Sequence, residues 1–228
     1  MDKYLKYNAM QKRVYSAGTN DHLNHNKNKF YWTFFIKNNI KGEIALDFAC
    51  GKGRNIENLL KQGNFKSVHG IDISESNINY CKSRFLNKNV VAHLINGLDF
   101  KDLDSNIFDY VMSTIALQHI PVHKIRHTLF QEIYRVMKVG GVFRFQMGYG
   151  PKPKPYLLQI FNKVKQSGYY KNATNAKGTN SLHDVRIHDY KNLKKDLLKI
   201  GFNNFSKFIT ESFDDNQHPN WIWIEVIK

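Results

Sequence analysis

The chain has only two cysteines, Cys50 and Cys81, in 228 residues. Neither stands with histidines at metal-ligand spacing, and two thiols make no disulfide framework. A stapled secreted scaffold and a cysteine-built metal centre are both excluded. Long apolar runs are missing too. FYWTFFI, residues 30–36, is far too short to span a bilayer. The opening MDKYLKYNAMQKR has no apolar h-region. No signal peptide is therefore expected, and the expectation is a cytoplasmic protein. Acidic residues are scarce, 19 against 34 Lys and Arg, for a formal charge of +15. The excess is +5 over residues 1–44, +4 over 45–150 and +6 over 151–228, so it lies mainly in the two ends. Such a surface suits an anionic partner: nucleic acid, a phosphorylated metabolite or an acidic glycan. It is equally the mark of a Lys-rich, Asn-rich chain kept soluble by charge. A hydrophobic fraction of 42% with 14% aromatics excludes a disordered chain.

The centre alternates strand-like and helix-like segments. EIALDF (43–48), SVHGID (67–72), VVAHLI (90–95), FDYVMS (108–113) and VFRFQM (142–147) read as strands. Between them, Ile56, Leu59 and Leu60 fall at helical spacing. So do Ile78, Cys81 and Phe85, behind a candidate N-cap at Ser74. A helix is expected over 122–138, ended by Gly140 and Gly141. Leu193 and Leu197 mark a later helix closed by Gly201, followed by two final strands. The alternation predicts an α/β fold: a doubly wound, mostly parallel seven-stranded sheet with helices on both faces and the last strand antiparallel. One domain is expected over 1–228. It has N-terminal cap helices in 1–42, a core in 43–148, a lid or acceptor insertion in 149–190 and a C-terminal part in 191–228. On such sheets ligands sit at the carboxyl ends of the strands.

One of those ends is ALDFACGKGRN, residues 45–55. It is not a Walker loop, since no G-x-x-x-x-G-K-[ST] occurs. It is not a full dinucleotide fingerprint either, since Ile56 stands where the third glycine belongs. Asp47 sits in the same turn. A carboxylate beside a pyrophosphate would cost about 1–4 kcal/mol of repulsion. The same charge favours a ligand with an ammonium group and no phosphate, and S-adenosylmethionine has both properties.

These residues resemble the class I, Rossmann-like S-adenosylmethionine-dependent methyltransferases of small-molecule type. The first family motif, D/E-x-G-x-G-x-G, is matched by Asp47, Gly51 and Gly53, with Ala49 replacing the first glycine. Asp72, ending HGID, matches the acidic residue that accepts the ribose hydroxyls. INGLDF resembles the adenine turn, with Asn96 where an aspartate is common. FDYVMSTIALQHIP and YRVMKVGGVFRFQ resemble the fourth and fifth motifs. The likeness covers about residues 44–147. It implies cofactor contacts from Asp47, Ala49, Gly51, Gly53, Asp72, Ile73, Asn96, Gly97, Leu98 and Ser113. Asp72 could instead cap the next helix, Asn96 could only stabilise its turn, and Ile73 could be core. The product would be S-adenosyl-L-homocysteine.

The acceptor side is less defined. His119, after the fourth strand, stands where acceptors lie in this family. A histidine's ordinary pKa near ~6.5 suits a general base. Gln118, Gln146 and Tyr149 are pocket candidates. SLHDVRIHDY adds His183, Arg186 and His188, a cluster suited to an anionic acceptor. The chain lacks the [DNS]-P-P-[YFW] of DNA amino-methyltransferases, the nucleophilic cysteine of cytosine-C5 enzymes and the paired glutamates of protein arginine methyltransferases. The expectation is methyl transfer to an O or N atom of a polar small molecule, phosphate-bearing or glycan-like, with no metal. RNA is the less favoured acceptor. A non-catalytic cofactor-binding module and a nicotinamide reductase are the remaining rivals. Oligomeric state does not follow from the sequence.

Overall fold

The computed structural model describes residues 31, 33–37, 40, 42–62, 65–120, 123–150, 170–172, 185–211 and 220–228. Most of the 1–42 segment, where cap helices are expected, and most of the 149–190 insertion lie outside the described residues.

Five parallel strands carry the fold: β1 (Ile44–Phe48), β2 (Ser67–Asp72), β3 (Val90–Leu94), β4 (Phe108–Ser113) and β5 (Met137–Tyr149). They lie side by side in the order β3-β2-β1-β4-β5. β1 is buried from Ala45 to Phe48, as a central parallel strand covered on both faces must be. Helices α1 (Arg54–Gln62) and α2 (Glu75–Arg84) cover one face. Their Ile56, Leu59, Ile78, Cys81 and Phe85 pack with Ala45, Val68, Tyr110 and Met112. Helices α3 (His123–Val136) and α4 (Tyr190–Ile200) cover the other. There Ile125, Leu129, Ile133, Leu193 and Leu197 meet Leu46, Val111, Phe143 and Phe145. Ser74 caps α2 as expected: its hydroxyl accepts from the Asn77 N–H at 3.4 Å.

The last strand is antiparallel. β9 (Asn220–Ile227) runs against β5 from Val142 to Tyr149, and β8 (Asn203–Glu211) pairs outside it. Two short strands join the expected seven. β7 (Val185–Ile187) lies parallel to β5 at Gly148 and Tyr149, and β6 (Tyr170–Asn172) lies antiparallel to β7. β9 holds one edge of β5, and β4 holds the other up to Phe145. So β7 sits on the β4 side, just past the end of β4. It extends the sheet where ligands bind.

Gly140 and Gly141 do not end a helix. α3 stops at Val136 and the glycines lie inside β5, in a bulge between its pairings to Phe108 and Tyr110. Gly140 has φ +79, and a Cβ on Gly141 would stand 2.8 Å from the Lys138 carbonyl. Gly140 N–H donates to the Lys228 carbonyl, and Lys228 N–H donates back to Gly141. The pair lets β5 bend while keeping its backbone bonded to the end of β9.

The aromatic run after residue 30 docks on the α1 face. Tyr31, Phe34, Phe35 and Ile36 are buried, with Thr33–Lys37 in a π turn. Tyr110 donates its hydroxyl to the Phe35 carbonyl, and Arg144 donates to the Phe34 carbonyl. Arg144 is also paired with Glu225 at 2.6 Å.

Candidate active site

The loop after β1 is fixed from three sides. Cys50 N–H donates to Ile71, the Gly51 N–H donates to Asp72 Oδ2 at 2.9 Å, and the Gly51 carbonyl accepts from Cys81 Sγ. The two glycines have different tasks. A Cβ on Gly51 would meet nothing within 4 Å, so this backbone faces open space. A Cβ on Gly53 would stand 2.4 Å from the Phe85 ring, so Gly53 lets the loop press on α2. Ala49 holds φ +60, the left-handed conformation for which glycine is favoured. The strain is of the order of 1–2 kcal/mol.

Asp47 is fully buried beneath this loop. Its Oδ1 accepts from Asn55 Nδ2 at 3.1 Å, while Oδ2 has no hydrogen-bond partner among the described residues. Burial pushes its pKa up to about 7, against the opposing pull of the Asn55 hydrogen bond and the Arg54 charge. The same Asn55 amide donates to Thr114 Oγ1 at 3.1 Å, and Tyr31 donates its hydroxyl to Asn55 Oδ1. One side chain of α1 thus joins the ends of β1 and β4 and the docked N-terminal aromatic. Tyr31, Asn55 and Thr114 are not among the residues the sequence motifs single out. A polar residue two places past the second glycine was the one available signal.

Asp72 ends β2 with both oxygens in use: Oδ2 accepts from Gly51 N–H, and Oδ1 from Ser74 N–H at 2.8 Å. It supports the start of the next helix through Ser74 and also holds the loop through Gly51. The Asn77 side chain and the Ile73 N–H also donate toward this carboxylate. Burial raises its pKa, opposed chiefly by those backbone donors. Asn96 spends its amide on its own turn. Oδ1 accepts from Leu98 and Asp99 N–H, and Nδ2 donates to Asp99. Gly97, at φ +83, makes that turn. Ile73 and Leu98 are partly buried against the core.

At the β4 end, Ser113 is fully buried and its hydroxyl has no partner among the described residues. Ile115 is held at φ +57, an outlier for a β-branched residue and a mark of a constrained loop. Gln118 is buried and His119 half-buried in the short 3₁₀ turn Leu117–His119. On β5, Gln146 is fully buried and Tyr149 packs against the core. On and beyond β7, Arg186 is buried, and His188 Nδ1 lies 2.9 Å from the Gly150 carbonyl. That contact makes Nδ1–H a donor and leaves Nε2 the basic nitrogen in a neutral ring. His183 lies outside the described residues. All other expected site residues gather at the carboxyl edge of the sheet. No group of three or more metal-ligating side chains occurs among the described residues. No helix among them is long and apolar enough to cross a membrane.

Known proteins share this fold. Residues 45–141 match the family model described as a methyltransferase domain. The chain is 30% identical over 126 residues to phosphoethanolamine N-methyltransferase 2 of Caenorhabditis elegans, a match covering 52% of this chain and 28% of that protein. Among solved structures, an S-adenosylmethionine-dependent methyltransferase from Methanosarcina mazei superposes with a TM-score of 0.63 at 22% identity. The match covers 83% of this chain and 95% of that one. Phosphoethanolamine N-methyltransferase 2 of Haemonchus contortus, solved with phosphomonomethylethanolamine and S-adenosylhomocysteine, gives 0.58 at 19%, over 82% and 49%. A [4+2]-cyclase gives 0.59 at 15%, over 82% and 75%, so the fold is not confined to methyl transfer. The chain spans about a quarter of the C. elegans protein and half of the H. contortus one. Residues 45–141 thus resemble a methyltransferase domain, and the fold around them is the one seen in S-adenosylmethionine-dependent methyltransferases.

Proposed function

We propose that this chain transfers a methyl group from S-adenosylmethionine to an O or N atom of a polar, anion-bearing small molecule, leaving S-adenosylhomocysteine. The observation that carries this reading is the pairing of open backbone at Gly51 with two buried carboxylates, one of which, Asp47, has an oxygen without a partner. Such a site fits a ligand with an ammonium group and vicinal hydroxyls, and rejects a pyrophosphate.

When bound, the cofactor supplies a methyl carbon activated by a sulfonium. The chain's own residues position and shield. Asp47 Oδ2 would accept from the ammonium, and the Asp72 carboxylate would accept from the ribose hydroxyls. Ile73, Leu98 and the Asn96–Gly97 turn flank the adenine. The constrained loop over Thr114–His119 sets the acceptor's distance, the main task in such a transfer. His119 takes a proton from the acceptor where one must leave early. The nematode relatives named for phosphoethanolamine support an amine on a phosphate-bearing acceptor.

Calorimetry is the test. S-adenosylhomocysteine should bind and NAD should not; the reverse result would remove the reading. An RNA acceptor is separated by its salt dependence, since binding through phosphates weakens steeply with salt.

A further inference from the structure

Three strands meet around a missing side chain. Trp221 of β9 and Arg186 of β7 both stand in register with Gly148 of β5. Residues in register share a face. Trp221 and Arg186 therefore rise on either side of bare backbone. Gln146, two residues earlier on β5, points to the same face, diagonal to Arg186. This is also the face of Asp47 and Thr114, since Gln146 and Thr114 each follow directly on the last paired residues, Phe145 and Ser113.

Arg186 is 8% exposed and Gln146 0%. Arg186 Nε and both amide atoms of Gln146 have no hydrogen-bond partner among the described residues. No carboxylate among them pairs with Arg186, and burial alone lowers its pKa. Shielding the Nε end of a guanidinium from water without a counter-charge is costly. So is a buried amide without partners. Both lie beside the bare backbone of Gly148, at the edge where this fold takes its ligands.

We propose that Arg186 and Gln146 form an oxyanion subsite over Gly148 that takes the phosphate monoester group of the methyl acceptor. The guanidinium presents paired donors that match two phosphate oxygens, and Gln146 Nε2 adds a third. Trp221 walls the site from water, which strengthens both contacts. A dianionic phosphate gains more than a monoanionic carboxylate from a chain of charge +15. The acceptor's role rests on the methyl-transfer reading; the anion site itself needs only these side chains.

The test uses the full chain with S-adenosylhomocysteine present. Thermal shift and calorimetry are run with inorganic phosphate, phosphoethanolamine, ethanolamine, acetate and chloride at matched ionic strength. Phosphate and phosphoethanolamine should bind and raise the melting temperature; the other three should not. Arg186→Met should weaken phosphate binding at least about tenfold and Gln146→Leu about threefold to tenfold, the range for one or two charge-assisted hydrogen bonds. S-adenosylhomocysteine affinity should stay within about twofold. Without ligand, Arg186→Met should be as stable as the parent or more so, because it removes an unpaired buried charge. A purely structural arginine would give a less stable variant. Unchanged phosphate binding in Arg186→Met, an equal shift from chloride, or equal binding of acetate would overturn the proposal. Arg186-dependent phosphate binding in a chain that ignores S-adenosylhomocysteine would sink the methyl-transfer reading and leave the subsite standing. Binding of S-adenosylhomocysteine with no phosphate effect would do the opposite.

Discussion

The two halves of the sheet's carboxyl edge differ in how far they are finished. At the ends of β1, β2 and β3 most polar groups are already bonded. Asp72 holds two backbone donors, Asn96 closes its own turn, and the Gly51 peptide is pinned at both ends. At the ends of β4, β5 and β7, the Ser113 hydroxyl, the Gln146 amide and Arg186 Nε are buried with no partner among the described residues. On the proposed reading, a cofactor of fixed shape would meet a preorganised cradle, while the acceptor side would keep donors in reserve whose desolvation a ligand offsets. Asp47 is the exception on the first side, with one oxygen bonded and one not.

That contrast can be broken by substitution, and the largest effect is expected on the acceptor side. His119→Ala should cut turnover by about 10²–10⁴ while S-adenosylhomocysteine binds as before. His119→Asn keeps a hydrogen-bonding group without a base. Near-normal turnover in that variant would take His119 out of proton transfer, leaving His188 and His183 to be tried.

On the cofactor side the effects should be smaller and should fall on binding. Asp72→Ala should weaken S-adenosylhomocysteine by about 1.5–3 kcal/mol. It should also lower the melting temperature, because Gly51 and Ser74 lose their acceptor; unchanged affinity would remove Asp72 from the ribose.

Asp47 should show a trade-off. Its folded pKa, near 7, lies above the unfolded value of 3.8, so the folded state holds this proton more tightly. The associated stability is fully present below about pH 4 and is lost as pH rises through about 7. Asp47→Asn should therefore exceed the parent in stability at pH 8 by on the order of 2–4 kcal/mol, and match it near pH 4. It should also bind S-adenosylhomocysteine more weakly. Denaturation curves at the two pH values decide it, and a variant less stable at pH 8 would contradict the assigned cause.

Ala49→Gly should relieve the left-handed backbone and stabilise the chain by about 0.5–1 kcal/mol, read from the denaturation midpoint. Destabilisation would mean that the alanine methyl packs to some purpose.

The smallest effect at neutral pH should come from a pair far from the contrast. His69 and His93 stack on β2 and β3, with His69 Nδ1 3.1 Å from His93 Nε2. Burial lowers both pKa values, that of His69 to about 4. The unfolded chain binds these protons first, so stability is complete above about pH 6.5 and is lost as pH falls toward 4. His69→Gln should flatten that acid limb and leave the alkaline side alone.

The sequence by itself determined the order of strands and helices, the two-glycine loop, and the acidic residues ending β1 and β2. These are local matters. Apolar periodicity decides whether a segment can face a core on one side or both, and a tight turn declares itself by its glycines. Local signals also misled where backbone strain was relieved elsewhere in the chain. Gly140 and Gly141 read as a helix stop, yet they form a bulge whose hydrogen bonds come from Lys228, the far end of the sequence. The departure at Ala49 was legible as a residue change. Its positive φ was not, because conformation there is set by contacts from β2 and α2. Asn55 gave little sign that it would join Asp47, Thr114 and Tyr31, since a side chain's partners come from three other segments. In the sequence, Arg186 and His188 belong to one cluster with His183, and Gln146 stands apart with Tyr149 at the end of the fifth strand. Only the tertiary structure, by laying β7 beside β5 at Gly148, put Arg186 diagonal to Gln146 and left both without the partners that burial demands. Pairing register between strands some forty residues apart is decided by the packed sheet as a whole, and no local pattern encodes it.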